Sequence, residues 1–366
     1  MIPMRALPCL LLVLLSGCVL EEAWVDLDLD DSAFVNRWIL EGQATRTVLL
    51  AEGYQCPDGR TARVDLLRPT GFEGPRPLAL LLHDGVYEWL DDTSSTYENT
   101  VNRLGALYAD DQVAAMFGVD GALVDGNARG SWAASLLQAG YAVAAPGNCW
   151  GDLWHGRGDN DLQGEGFLRQ GARLAADAIR LATEQPDVTD QRLIAVGLGE
   201  GGRGIVELAL DGVDFDAVVV DGSPDWLSPV TQRPAWFQRY ITGLERIWFA
   251  EIPADLPTQE RLTVLQGLLQ RDSLVHLITD LGWRVPIVYA SSPTDEIVDA
   301  DMTLPAAQAI GPRYAEGQSI VDEWPGPEHV PSNSERGYDA VQGYMTWIGE
   351  LLGDFVYLAP PAAPAP

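Results

Sequence analysis

The stretch LIAVGLGEGG, residues 193–202, follows the pattern G-x-S-x-G at every position but one. That pattern marks a sharp strand-to-helix turn, which lifts a serine hydroxyl clear of the backbone for attack on a carbonyl carbon. The serine position is occupied by Gly199. Glycine has no group with which to attack. Loss of a triad nucleophile costs about 10⁶ in kcat, or about 8 kcal/mol of barrier. In return, glycine relieves about 1–3 kcal/mol of backbone strain at such a turn. Three readings are open. The chain keeps a pocket and has lost the chemistry, it is a hydrolase with another nucleophile, or it is a purely structural protein. Ser223, Ser291, Ser292 and Glu200 are the alternative nucleophiles, and Asp221 is an alternative acid. Each is also ordinary loop chemistry.

Such a turn needs elements on either side. Residues 45–51 and 62–69 read as strands separated by the turn-rich EGYQCPDGRT. Residues 77–83, 140–146, 191–197, 216–222 and 285–291 are short apolar runs, as buried parallel strands are. Between them lie helical patterns. In residues 167–185, Phe167, Leu168, Leu174, Ala175, Ala178 and Leu181 share one face. Near the end, Val341, Tyr344, Met345, Ile348 and Leu352 do the same. Alternating apolar strands and helices imply an α/β protein, with a mostly parallel sheet covered on both faces. Residues 223–284 interrupt the alternation and are expected to form a helical lid over the carboxyl ends of the strands, where open α/β sheets place their sites.

Five segments in order resemble the α/β-hydrolase superfamily, in its prolyl-oligopeptidase and dienelactone-hydrolase branches. They are PLALLLHDG, GYAVAAPG, DVTDQRLIAVGLGEGG, VPIVYASSPTDEIV and EWPGPEHVP, and the resemblance covers about residues 45–352. It implies an eight-stranded sheet, with the core in residues 45–222 and 285–356. It implies that Gly199 holds the nucleophile position, Asp295 is the triad acid and His329 the triad base. The family's oxyanion donors would be the N–H of Glu200 and a second from Asp84 or Gly85, with His83 orienting that loop. Trp89, Trp150, Trp154, Trp226 and Trp324 then fall at the carboxyl ends of strands, where they would line an aromatic pocket or brace long loops. The resemblance implies no cofactor.

The same glycines partly match the dinucleotide signature G-x-G-x-x-G. They follow the fifth strand rather than opening the first βαβ unit, which opposes that reading. No Cys/His spacing suits zinc. GDNDLQGEG, residues 158–166, loosely resembles a calcium loop through Asp159, Asp161, Gln163 and Gly164. Gln170 stands where the closing Glu is needed, so a solvated loop is expected and no metal.

The N-terminus carries Arg5, an apolar run, and then Leu15-Ser16-Gly17-Cys18. The run is too short to span a bilayer and suits an export signal. Its end resembles a bacterial lipobox. Residues 1–17 are therefore expected to be a signal peptide, with Cys18 lipidated and the protein anchored in the cell envelope. Residues 18–44 are expected to be an N-terminal segment whose acidic stretch, residues 21–32, is a tether or a first edge strand, and residues 357–366 a Pro/Ala tail. Cys56 and Cys149 remain, paired or free. The 366-residue chain has 53 acidic against 23 basic residues, all arginine, for a net charge of −30. Phosphate backbones would repel it, which excludes nucleic acid as a partner. A small molecule or peptide is the expected ligand class. At 47% hydrophobic content the chain can bury a full core.

Overall fold

The computed structural model describes residues 44–55, 61–82, 132–147, 167–225, 255–294, 300–325 and 337–353. Eight strands form one sheet: β1 (Ala44–Gln55), β2 (Thr61–Pro69), β3 (Arg76–Leu82), β4 (Ala142–Gly147), β5 (Val188–Leu198), β6 (Ala217–Asp221), β7 (Ile287–Ser291) and β8 (Ser319–Glu323). Their spatial order is β1-β2-β4-β3-β5-β6-β7-β8. β2 runs antiparallel to both neighbours, and every other pair is parallel. The helices are α1 (Trp132–Gln138), α2 (Phe167–Thr183), α3 (Glu200–Leu210), α4 (Thr258–Arg271), α5 (Leu274–Thr279), α6 (Ala300–Ile310) and α7 (Gly337–Leu352).

Side chains along a strand alternate between faces, and here both faces are covered. Ile194, Val196 and Leu198 of β5 pack in one apolar cluster with Trp132 of α1 and with Tyr344, Met345 and Ile348 of α7. Leu193 and Ala195 point the other way, into a second cluster with Leu174 and Ala178 of α2, Ile205 of α3, Leu277 of α5 and Ala306 of α6. Double burial explains why the strands read as continuous apolar runs rather than alternating ones. Trp132 and Tyr344 stack at 6.1 Å between ring centroids.

Several boundaries differ from the sequence expectation, each for a local reason. β4 begins at Ala142 because Gly140 takes φ 90° and turns the chain into the strand. β7 begins at Ile287 because Pro286 has no N–H for the ladder. β8 lies at Ser319–Glu323, just ahead of most of the EWPGPEHVP stretch, and Pro325 follows its end. On α2, Leu181 is only half-buried and Ala182 is fully buried in its place.

At the antiparallel end, Arg46 of β1 reaches across to Asp65 of β2. Nε and Nη2 donate to Asp65 Oδ1 at 2.9 and 2.7 Å. Their side chains are 8% and 4% exposed, so the pair has left water. Removing one partner of such a pair leaves a buried charge. Asp65→Ala should lower stability by about 3–5 kcal/mol, while Arg46→Met/Asp65→Leu should recover most of that loss. Denaturant midpoints of the three proteins check this.

Candidate functional site

β5 gives way to α3 through a single residue. Gly199 stands at the N-cap with φ 54° and ψ −123°, in the positive-φ region that residues bearing a Cβ enter only at a cost. Its N–H donates to Asp221 O at the end of β6, at 2.7 Å. Its carbonyl accepts from Gly202 N at 3.0 Å. The turn is thus tied to the neighbouring strand on one side and to its own helix on the other. Of the N–H groups that open a helix without helical partners, those of the first turn face outward from this point, at the positive end of the helix dipole.

Two more glycines are required by contact. A Cβ on Gly197 would lie 2.5 Å from backbone atoms of Gly201 and Gly202. A Cβ on Gly202 would lie 2.6 Å from Ser223 Cβ and 2.7 Å from Ser223 Oγ. The helix therefore sits directly against the strand and against the loop after β6.

The register sets what surrounds the turn. Leu198, Asp221, Ala290 and Asp322 stand in one row across β5, β6, β7 and β8. The turn at Gly199 opens from that row. The chain leaves the described residues at Thr294, past the end of β7, and again at Pro325, past the end of β8. Asp295 and His329 lie outside the described residues. So do Asp84, Gly85, His83, Trp89, Trp150, Trp154, Trp226, Cys18, Cys56, Cys149 and the loop with Asp159, Asp161, Gln163 and Gly164. Glu200 begins α3, placing its N–H in the first turn.

The three alternative serines are all near this edge and all buried. Ser223, Ser291 and Ser292 are 5%, 4% and 1% exposed. Ser292 Oγ accepts from Thr294 N at 3.2 Å. Ser223 is wedged against Gly202, on the inner side of α3. Asp221 is fully buried.

Of the two roles open to Trp324, the structure gives it the bracing one. It belongs to the core cluster under α7, where its Nε1–H donates to Tyr344 Oη at 3.4 Å. The Tyr344 hydroxyl donates in turn to Asp322 Oδ2 at 2.7 Å. Burial, with Asp322 and Asp221 nearby, raises the Tyr344 pKa, so the hydroxyl keeps its proton. This chain braces the end of β8 against α7. Sequence periodicity marked Tyr344 only as an apolar core residue.

On the opposite face, α3 carries Arg203 and Glu207, both buried. Opposite them, at the end of α4, Arg271 Nη2 donates to Asp272 Oδ2 at 2.7 Å, and Arg271 Nε also bonds the Asp272 carboxylate. Asp272 is 1% exposed. A small cavity there is lined by Gly202, Arg203, Ser223, Asp225, Asp272 and Tyr289. Sequence reasoning missed this cluster, because Arg203 and Glu207 lie more than sixty residues ahead of Arg271 and Asp272 in the chain. The signal was the i, i+4 spacing of Arg203 and Glu207 on an otherwise apolar helix. Among the described residues no group of three or more His, Cys, Asp or Glu could hold a metal ion. No helix of the described residues is long and apolar enough to cross a membrane.

No protein-family model matches the chain, and no curated protein matches it. Solved structures do. Esterase B from Lactobacillus rhamnosis superposes with a TM-score of 0.52 at 12% identity, covering 91% of this chain and 95% of its own. Glucuronoyl esterase from Solibacter usitatus gives 0.50 at 13% identity, covering 84% of this chain and 83% of its own. Oligopeptidase B from Leishmania major gives 0.52 at 10% identity over 87% of this chain. The fold is that of the α/β-hydrolases. This chain spans 38% of the length of that oligopeptidase, so it matches one part of a longer protein. At these identities the likeness concerns the fold alone.

The tight glycines can be tested against an unconstrained one. Gly197→Ala and Gly202→Ala should each destabilise the protein by about 1–3 kcal/mol or more, as overpacking does. Gly267 in α4 has nothing within 4 Å of its would-be Cβ. Gly267→Ala should stabilise by about 0.5–1 kcal/mol. Thermal and denaturant unfolding of the three variants give the ordering.

Proposed function

We propose that this protein is an envelope-anchored binding protein built on a hydrolase scaffold, in which the nucleophile has been replaced by glycine and the ligand pocket retained. One observation carries the reading. Gly199 takes φ 54° and ψ −123° in the one-residue turn between β5 and α3, at the carboxyl edge of the sheet, and has no side chain. The strained geometry that would present a nucleophile is kept without the nucleophile.

The rest of the proposed site is within reach of that turn. Neighbouring strands stand about 4.8 Å apart, so the ends of β7 and β8 lie about 10 and about 14 Å from the end of β5. Asp295 is four residues past Ser291 and His329 six past Glu323. Four and six residues extend to about 13 and about 20 Å. An acid–base pair facing Gly199 is therefore sterically allowed. The first-turn N–H groups of α3, with the Glu200 N–H foremost, would bind a carbonyl or carboxylate oxygen of a small-molecule or peptide ligand. Trp89, Trp150, Trp154 and Trp226 would supply apolar walls; α5 packs in the core cluster with α3 and α6, so a lid would have to come from residues 226–254. The burial of Ser223, Ser291 and Ser292 supports loss of chemistry over its transfer to another serine.

Restoring the hydroxyl tests this. Gly199→Ser should gain a detectable acylation burst with activated esters, and Gly199→Ser/His329→Ala should lose it. Gly199→Ser should also be less stable by about 1–3 kcal/mol, since a residue with a Cβ must then take the positive φ. The wild type should neither turn over activated esters or peptide amides nor be labelled by a fluorophosphonate. Labelling of the wild type at any serine would overturn the reading in favour of an active hydrolase. The anchor is tested separately. Cys18→Ala should move the protein from the membrane fraction to the soluble fraction, and mass spectrometry of the wild type should find a lipid-modified N-terminus.

A further inference from the structure

The two ends of the sheet are protected differently. β8 is the last strand on one side, is five residues long and carries Asp322 and Glu323. Short length and charge keep such an edge from pairing. β1 is the last strand on the other side and runs for twelve residues. Among the described residues nothing pairs with its outer edge. From Ala44 to Ala51 its only charged side chain is Arg46, whose guanidinium is turned inward onto Asp65. Val48 and Leu50 are 45% and 52% exposed. A long, partly apolar edge of this kind takes up another strand.

We propose that residues 25–30 of this chain, Val25-Asp26-Leu27-Asp28-Leu29-Asp30, dock on the outer edge of β1 as a further strand, with their apolar side chains beside Val48 and Leu50 and their aspartates on the side of Arg68.

The segment has the pattern that this edge needs. Apolar and acidic residues alternate strictly over six positions, the period of a strand with one apolar face. Paired residues on adjacent strands share a face. On β1, Arg46, Val48 and Leu50 point to one face, and Thr45, Thr47 and Leu49 to the other. The second face is covered where Leu49 packs into the apolar cluster that includes α2. Arg68 lies on this face, as the pairing partner of Thr45. Its Nη2 donates to Thr47 Oγ1 at 2.6 Å, and its Nη1 donates to Asp187 Oδ1 at 3.0 Å. Asp187 takes Arg76 Nη1 on its other oxygen, at 2.8 Å. Two guanidinium groups thus share one carboxylate, which leaves a surplus of positive charge beside Thr47.

With Val25, Leu27 and Leu29 set against Val48 and Leu50, the three aspartates fall on the Thr47 side. A slip by one residue would put the aspartates against Val48 and Leu50, and the apolar residues beside the arginine. The two faces of β1 therefore select one phase of the segment.

Charge and chain length favour this segment over other occupants. Residues 21–32 carry six acidic residues and no basic one. Residues 44–76, which hold β1 and β2, carry five arginines against four acidic residues, so they do not share the acidic excess of the chain. A second copy would bring another net charge of −30, which opposes association. Thirteen residues, 31–43, connect the segment to β1, enough for a hairpin loop or for the crossover of a parallel pair. A short tether holds such a segment at an effective concentration on the order of millimolar.

The docking stands whether or not Cys18 carries lipid. With Cys18 anchored, which is the reading proposed above, residues 19–24 span at most about 20 Å, so β1 becomes the strand held next to the lipid. β5 lies four strands away, about 19 Å, which sets the turn at Gly199 back from that edge.

Hydrogen exchange on the full chain tests the docking. In the wild type, amides of residues 25–30 should exchange at least about tenfold more slowly than their intrinsic rates. Leu27→Pro, which removes an apolar contact and a ladder donor, should abolish that protection and lower protection in residues 44–51. Val48→Lys, on the other side of the contact, should release residues 25–30 in the same way. Protection in β3 and β5 should stay level in both variants, which reports that the core is folded. Cys18→Ala should leave residues 25–30 protected, so that failure of the anchor and failure of the docking are read apart. Exchange of residues 25–30 at intrinsic rates in the wild type would overturn the proposal. So would protection in residues 44–51 that survives Leu27→Pro, or that rises with protein concentration alongside a dimer in sedimentation, which would assign the edge to a second copy.

Discussion

Everything near the candidate site hangs on one backbone reversal. β5 must become α3 within a single residue, and Gly199 meets that demand with a positive φ while its N–H is held by the last carbonyl of β6. That hydrogen bond couples the turn to the central sheet, so the start of α3 cannot drift without breaking the edge of β6. The close approach of helix and strand then forbids a Cβ at Gly197 and at Gly202. Three of the five glycines in residues 197–204 are thus set by geometry alone.

A turn of this kind is expensive when it must carry a side chain and cheap when it does not. With a nucleophile in place, strain of about 1–3 kcal/mol is offset by catalysis. With glycine, the strain largely disappears and the scaffold is free to keep its shape. On the proposed function, this would let a hydrolase scaffold keep its elbow without a hydroxyl. Among the described residues, both apolar clusters close on strand side chains one residue or more before the turn, so their packing does not require the chemistry.

The two faces of the sheet handle polar groups differently. Under α7 the polar chain Trp324–Tyr344–Asp322 carries one charge, and its hydroxyl keeps its proton, so it acts as a fixed brace. Behind α3 the cluster of Arg203, Glu207, Arg271, Asp272 and Asp225 brings several charges together out of water. Such a cluster is stable only when charges balance and hydrogen bonds are met. It lies where the segment between β6 and β7 rejoins the core.

Much of the architecture was legible before any coordinates. Apolar runs of strand length, separated by helical patterns, demanded a sheet buried on both faces, because no other arrangement hides Leu78 to Leu82 or Ile194 to Leu198 from water on both sides. The glycines of residues 197–202 announced a tight strand-to-helix turn for the same local reason: only glycine tolerates such contact. What sequence could not decide was contact between distant residues. That Ser223 is wedged against Gly202, that Trp324 is a core residue rather than a pocket wall, and that Arg203 and Asp272 line one cavity all depend on strands β6, β7 and β8 being laid side by side. The side-chain types of these residues suit either a surface or an interior, and only the register of the sheet and the packing of α3 against the returning helix chose between them. Local sequence thus determined the turn and the layers, because both follow from backbone sterics and apolar periodicity. The tertiary structure decided which polar groups lost their water, because desolvation depends on neighbours that are far away along the chain.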